Sequence, residues 1–189
     1  GEWVLQTACA QNKTWQDAGY APVRVAVNFS IRQFHQLRLV EMVTKVLEET
    51  GLDPCWLELE VKDNIMLEDE VTTMETLRRL SVLGVHISID NFGTRCFNFI
   101  SMKKLPINTL KIDQTFIRGM NTGEDEIIPG ALISMALGLG MNVVAEGVET
   151  EEQRDMLKSL NCQEIQGYIV SKPLPPEELA GLLAGNETA

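Results

Sequence analysis

Oxygen-bearing side chains follow the ends of short apolar segments along this chain. The clearest example is the stretch HISIDNFGT at residues 86–94, in which Ile87 and Ile89 alternate with polar residues. This alternation predicts a strand that runs into Asp90, and Gly93 then suits the turn that breaks it. A carboxylate at the end of a strand is well placed to bind a metal ion or a polar ligand at the edge of a sheet.

The same arrangement recurs at the other predicted strands. Polar residues stand at or just beyond the ends of all six: Asn28, Glu60, Asp90 with Asn91, Lys111 with Asp113, Glu146, and Gln166. In a parallel α/β barrel these ends share one face, and active sites lie there. In an open doubly wound sheet they would spread along an edge, with the site confined to one point. Six polar strand ends favour the barrel.

The elements that position these residues alternate along the chain. Strands are predicted over residues 23–29, 57–61, 85–90, 109–112, 142–145 and 164–166, and helices over residues 3–18, 39–50, 68–83, 97–104, 129–139, 150–160 and 175–183. This alternation predicts an α/β fold with a parallel sheet, specifically a TIM-like (β/α)8 barrel that is incomplete, with about six βα units. We expect residues 1–184 to form this domain, residues 185–189 to be a loose tail, and the first two barrel strands to precede Gly1. Two open sheet edges would then be covered by a second copy of the chain or by an N-terminal helix.

Composition narrows the classes of function. The formal net charge is −11, which argues against binding to the backbone of duplex nucleic acid. No apolar run approaches a membrane span, and no secretory signal is evident. Four scattered cysteines without a CxxC pair indicate reduced thiols, so we expect a cytoplasmic protein. The tryptophans Trp3, Trp15 and Trp56 are predicted to be core residues.

The polar residues suit metal-assisted chemistry on a phosphate ester. Asn28, Glu60, Asp90 and Glu146 offer hard oxygen donors, which fit Mg²⁺ or Mn²⁺ better than zinc. Lys111 could hold a phosphate or steady a developing oxyanion. Each residue taken alone is more often a solvated strand end or an ion-pair partner, whereas the set on one rim predicts phosphodiester hydrolysis by metal-activated water.

Six segments in this order resemble the EAL domain family of bacterial cyclic di-GMP phosphodiesterases. They are VNFS at 27–30, LELE at 57–60, DNFGT at 90–94, LKID at 110–113, VAEGVE at 144–149 and QGY at 166–168. The resemblance covers residues 2–183, nearly the whole chain. It implies a modified eight-stranded β/α barrel and metal-dependent opening of cyclic di-GMP to linear pGpG.

The resemblance also implies roles for individual residues. The metal ligands are Asn28, Glu60 and Asp90, with Asn91 as a degenerate member; the catalytic residues are Lys111 and Glu146; the ligand-binding residues are Asp113, Gln166, Glu149 and Asp63. Glu149 is equally consistent with a helix cap. The segment 91–101 matches a loop that helps to assemble the site and a dimer contact, which implies a homodimer. Family members often carry GGDEF, PAS or receiver domains, so such a neighbour upstream is implied.

The chain departs from the family pattern at its site. The Glu-Ala-Leu signature does not occur in the sequence and is expected upstream of Gly1. The family's Asp-Asp pair reads Asp90-Asn91, and the glycine that the family has after Phe-Gly-Thr is Arg95. The Tyr-Ser-Ser that follows is replaced by CFN at 96–98, and the second acid of the family's Glu-x-x-Glu pair is Asp63. Three interpretations stay open: a degenerate domain that binds cyclic di-GMP with weak or no hydrolysis, an active phosphodiesterase, and a scaffold that binds neither. For the chain as given we predict no turnover.

Overall fold

The computed structural model of the chain describes residues 1–36, 38–62, 65, 70–93, 102–122 and 127–185. The strands are β1 (Val25–Phe29), β2 (Leu57–Lys62), β3 (His86–Phe92), β4 (Thr109–Ile112), β5 (Asn142–Glu146) and β6 (Glu164–Gln166). The α-helices are α1 (Glu2–Asp17), α2 (Ile31–Phe34), α3 (Leu39–Thr50), α4 (Glu70–Val82), α5 (Gln114–Arg118), α6 (Ile127–Gly138), α7 (Glu151–Ser159) and α8 (Pro176–Gly185). Short 3₁₀ helices cover Pro54–Trp56 and Gly119–Thr122. The strands follow one another in the sheet in sequence order, from β1 to β6.

The chain divides into two compact units. The first contains Gly1–Glu60, Glu68–Ile87 and Pro173–Ala189, and the second contains Val61–Leu67 and Ser88–Lys172. In the first unit α1 packs against α3 and β1, and α3 packs against α4. The buried residues of α3 (Leu39, Val40, Val43, Val46 and Leu47) follow the spacing of one helical face, and Gly51 ends the helix with φ +70°.

A small polar cluster lies at the start of β3 in the first unit. The guanidinium of Arg24 lies 3.6 Å from a carboxylate oxygen of Glu58, whose side chain is 11 % exposed. Burial, and secondarily the positive charge of Arg24, lower the pKa of His86 below its ordinary value of 6.5. The carboxylate of Glu58 opposes this shift. The surroundings of His86 therefore favour its neutral form.

The second unit contains four neighbouring parallel strands. β4 pairs with β5 from Thr109 opposite Asn142 to Ile112 opposite Ala145. β5 pairs with β6 from Val144 opposite Glu164 to Glu146 opposite Gln166. β3 pairs with the edge of β4 that does not pair with β5. Helix α6 packs against β4 and β5. All four residues of β4, which has a strand on either side, are buried, as expected where helices cover a parallel sheet.

Several sequence predictions differ from the structure. α2 was not predicted, although Ser30 and Gln33 form a capping box at its start. β3 extends two residues beyond Asp90, to Phe92. Trp3 is 76 % exposed, so the prediction that it belongs to the core is wrong: it lies on the solvent side of α1, opposite the buried face. Trp15 and Trp56 are half-buried.

Other predictions fall partly outside the described residues. Residues 97–101 of the helix predicted over 97–104 are outside the described residues, and so is the predicted tail from residue 186 onward. The cysteines of the described ranges, Cys9, Cys55 and Cys162, are free thiols, as predicted. No helix within those ranges has the length and apolar character needed to span a membrane.

Candidate active site

A bulge at the end of β3 places two polar residues against one residue of β4. Ile89 pairs with Leu110 and Phe92 pairs with Ile112, so β3 holds one extra residue between these pairs. Asn91 has φ +56°, a left-handed conformation that asparagine tolerates better than most residues. Asp90 and Asn91 therefore both stand opposite Lys111, whereas a regular strand would place only one residue there.

The bulge brings the side chain of Asn91 onto the carboxylate of Asp90. The backbone N–H of Asn91 donates a hydrogen bond to Asp90 Oδ1 over 2.9 Å. When the amide of Asn91 is oriented with its nitrogen toward Asp90, that nitrogen lies 2.8 Å and 2.9 Å from the two carboxylate oxygens. Asp90 is 9 % exposed, so these donors compensate a carboxylate that has lost most of its water.

Lys111 and Glu146 form an ion pair at the neighbouring strand ends. Lys111 is in register with Val144, and Glu146 follows two residues later, on the same face of the sheet. Lys111 Nζ lies 2.9 Å from Glu146 Oε1, and the two side chains are 5 % and 17 % exposed. A buried ammonium needs such a partner, because burying an uncompensated charge is strongly unfavourable.

Strand register places the predicted residues of this unit on one face. Ser88 pairs with Thr109, so Asp90 and Lys111, each two residues further along, lie on the same face. Glu146 pairs with Gln166, whose residue is exposed. Asp90, Lys111, Glu146 and Gln166 thus step across four neighbouring strands. The row combines hard oxygen donors with one ammonium, which suits a divalent cation and a phosphate.

Asp113 and Glu149 have local structural roles beside this row. Asp113 is the N-cap of α5: its Oδ1 accepts a hydrogen bond from the backbone N–H of Thr115 over 2.8 Å, and it is 7 % exposed. The N-cap of α7 is Thr150, so Glu149 is not the capping residue. Glu149 is exposed, and its backbone N–H donates to the side chain of Gln153 over 2.8 Å.

Two glycines fix the loops that follow β5 and β6. Gly147 has φ +72°, and a Cβ there would lie 2.5 Å from the Cβ of Gln114. A Cβ on Gly167 would lie 2.1 Å from the carbonyl oxygen of Val148, because the two backbones are in direct contact. Val148 also exchanges backbone hydrogen bonds with Gln166 and Ile169, at 3.1 Å each. The loops beside Glu146 therefore allow no side chain at either glycine.

The other predicted site residues lie in the first unit or outside the described part. Asn28, near the end of β1, is exposed, and Glu60 in β2 is 6 % exposed. Asp63 lies outside the described residues. Within the described ranges, no group of three or more His, Cys, Asp or Glu side chains is arranged to hold a metal ion. The predicted metal ligands include two asparagine amides, which are not among those residue types.

Sequence reasoning missed two features of the site. The bulge depends on the backbone conformation of Asn91, and only the asparagine itself hints at it. Gln153 was recognised only as part of a capping box with Thr150, yet its side chain is 4 % exposed and also reaches Ile117. The three-residue spacing of Thr150 and Gln153 predicts the capping box but gives no indication of the hydrogen bond to Ile117.

The chain matches the model of one protein family, the EAL domain, over residues 1–173. A similar protein of Pseudomonas aeruginosa, the bifunctional diguanylate cyclase/cyclic di-GMP phosphodiesterase MucR, is 40 % identical over 97 % of this chain and 27 % of its own length. Cyclic di-GMP phosphodiesterase NbdA of the same organism is 39 % identical over 92 % of this chain and 22 % of its own length. The chain thus spans about a quarter of these relatives.

Solved structures give the same assignment. The PaMucR phosphodiesterase in its c-di-GMP complex superimposes with a TM-score of 0.91 at 40 % identity, covering 95 % of this chain and 73 % of that one. The EAL domain of Mycobacterium smegmatis DcpA superimposes with a TM-score of 0.93 at 36 % identity, covering 98 % and 84 %. The chain belongs to the EAL domain family, and the predicted fold class, an incomplete TIM-like α/β barrel of EAL type, is confirmed.

Proposed function

We propose that this chain binds cyclic di-GMP at the strand ends of its second unit and hydrolyses it weakly or not at all. The observation that carries the proposal is the amide of Asn91 turned onto the carboxylate of Asp90. The resemblance places a second aspartate at this position. An amide keeps one oxygen but brings no negative charge, so an anionic ligand for a divalent cation is lost.

Binding is supported by the neighbouring ion pair. Lys111 supplies a buried positive charge beside Glu146, at 2.9 Å, and a phosphodiester can share that charge. In the proposed roles Lys111 holds the phosphate, Glu146 accepts a proton from water, and Gln166 and Asp113 support the ligand. Glu149 and Asp63 are further proposed ligand-binding residues, on the motif alone. Relatives named cyclic di-GMP phosphodiesterases and a c-di-GMP complex among the similar structures support the choice of ligand.

The proposed cation is Mg²⁺ or Mn²⁺. The assignment of Asn28, Glu60, Asp90 and Asn91 as its ligands is based on the sequence motifs, and all four offer the hard oxygens that these ions prefer. A bound cation would supply Lewis-acid activation of the phosphodiester and of water. The carboxylates of Glu60 and Asp90 are both largely buried, which fits residues held ready for a cation rather than solvated strand ends.

The alternative function is an active phosphodiesterase that gives linear pGpG. The intact pair of Lys111 and Glu146 favours it, because these two residues are the proposed catalytic groups. The two functions differ in what restoring a carboxylate at position 91 would do. If the amide limits hydrolysis, the Asn91→Asp variant gains activity; if the site is already active, the variant changes little.

The test combines calorimetric titration with cyclic di-GMP and chromatographic detection of pGpG, each with Mg²⁺ and with Mn²⁺. We expect binding without clear turnover by the unaltered chain, and at least about a tenfold gain in hydrolysis from Asn91→Asp. Asn142→Asp is the matched control, since it adds the same charge at the opposite, exposed end of β5. Clear turnover by the unaltered chain, equal to that of Asn91→Asp, would favour the phosphodiesterase, and no heat of binding would favour a scaffold.

The remaining partners stay predictions. We propose a homodimer on the basis of the family resemblance, and sedimentation velocity of the chain at several concentrations tests it. A neighbouring GGDEF, PAS or receiver domain in a longer parent protein is proposed on the same basis. A sedimentation coefficient that stays that of a monomer at every concentration would contradict the proposed homodimer.

A further inference from the structure

We infer that Gln153 is a positioning residue that holds the loop after Glu146 against the helix that follows Lys111. This inference deepens the proposed function, because it concerns the placement of the two proposed catalytic groups. The side chain of Gln153 forms hydrogen bonds with backbone groups of Ile117, Glu149 and Thr150. Its role would be to keep the ends of β4 and β5 in one fixed arrangement.

One buried side chain joins two loops of the second unit. Gln153 Oε1 accepts hydrogen bonds from the backbone N–H groups of Glu149 and Thr150, at 2.8 Å and 3.1 Å. Its Nε2 donates to the carbonyl oxygen of Ile117 over 3.2 Å. The side chain is 4 % exposed and Ile117 is fully buried, so water cannot easily replace these partners.

The two segments that Gln153 joins begin at the site. Glu149 and Thr150 lie three and four residues after Glu146, and Ile117 lies in α5, which Asp113 caps directly after β4. The carbonyl of Ile117 belongs to the last turn of α5 and also accepts a hydrogen bond from the backbone N–H of Gly119, the C-cap residue. Gln153 therefore adds a second donor to this helix end on one side and accepts two hydrogen bonds from the loop on the other.

A second contact between the same segments supports this inference. The loop crosses α5 so closely at Gly147 that a Cβ there would meet the side chain of Gln114. The side chain of Gln153 and the backbone of Gly147 thus hold the two segments together at separate points. Both contacts lie within a few residues of the strand ends that carry Lys111 and Glu146.

An ordinary helix cap needs only one of these three side-chain hydrogen bonds. In a capping box the N3 side chain accepts a bond from the N-cap backbone, and glutamate does this as well as glutamine. The donor of Gln153 is therefore superfluous for capping α7, yet it makes the bond to Ile117. Gln153→Glu separates the two roles: it retains the acceptor for Glu149 and Thr150 and removes the donor.

The experiment compares the full chain with Gln153→Glu, Gln153→Met and Gln33→Glu. Gln33→Glu is the matched control, because Gln33 has the same capping-box position at α2 in the first unit. Amide hydrogen exchange is followed by mass spectrometry in the free proteins, and cyclic di-GMP affinity is measured by calorimetry with Mg²⁺. Thermal unfolding reports whether each variant folds.

We expect Gln153→Glu to fold, to exchange faster at residues 114–118 and 147–150, and to bind cyclic di-GMP about tenfold more weakly, the effect of one lost buried hydrogen bond. Gln33→Glu should change neither, and Gln153→Met should lose stability as well. Unchanged exchange at both segments in Gln153→Glu would overturn the inference, as would unchanged affinity. If the unaltered chain binds no cyclic di-GMP, the proposed function fails, while the exchange comparison still decides whether Gln153 holds the two segments.

Discussion

Separating Lys111 from Glu146 should cost the chain much of its stability. At 2.9 Å the pair attracts with about 6 kcal/mol at an effective dielectric constant of 20, and desolvation offsets part of this. Removing one partner of a fully buried pair costs about 3–5 kcal/mol, and the 17 % exposure of Glu146 places this pair at the lower limit. We therefore expect Lys111→Met to lower the free energy of unfolding by about 3 kcal/mol, or the melting temperature by about 10 °C.

The assay is a double-mutant cycle by urea denaturation, with Lys111→Met, Glu146→Gln and the double variant. A coupling energy of about 2 kcal/mol is expected, because each single change leaves the other charge without its main partner. The control cycle uses the exposed pair of Lys13 and Asp17, whose side chains are 32 % and 63 % exposed. Lys13→Met and Asp17→Asn should couple by about 0.4 kcal/mol. If the two cycles give equal coupling, the buried pair contributes no more than a surface pair and the reasoning fails.

Three further predictions follow from the glycine contacts and from the pKa shifts. Gly167→Ala should lower the free energy of unfolding in urea by about 3 kcal/mol, because its Cβ would overlap neighbouring backbone, whereas Gly181→Ala in open space of α8 should stabilise slightly. Burial lowers the pKa of His86 below 6.5, so the unfolded state binds more protons; stability should fall as the pH drops below about 6.5, and less so in His86→Gln. Burial raises the pKa of Cys9 to about 11. A thiol reagent at pH 8 should therefore label the exposed Cys55 before Cys9, and Cys9 only after unfolding. Labelling of Cys9 in the folded chain would contradict this prediction.

The order and type of the main elements could be predicted because their patterns are local. The boundaries of α3 and β4 agree with the structure at both ends, since an apolar stripe closed by Gly51 and a short apolar run before Asp113 each mark them clearly. The strand ends of the second unit could be predicted to lie at one edge of the sheet, because strands that alternate with helices form a parallel sheet. The row from Asp90 to Gln166 is thus largely a property of the sequence.

The rest depends on contacts that the pattern of single elements does not contain. The buried face of α1 is defined by Leu5, Cys9 and Asn12, and Asn12 is buried because its amide donates to the carbonyl of Val23 over 2.9 Å. A polar residue on the buried face and Trp3 on the exposed face invert the usual expectation. The second bond of Gln153 is likewise a tertiary contact, between residues 36 positions apart.

The extra residue in β3 lets the chemistry of this strand vary separately from its packing. Ile89 and Phe92 lie buried opposite Leu110 and Ile112, so a residue that tolerates the left-handed conformation, such as aspartate, can replace Asn91 without displacing them. Even a shortened strand lacking that residue would pair Phe92 with Ile112 in a regular ladder. Evolution can therefore alter or silence the polar end of this strand while the hydrophobic interior behind it stays the same.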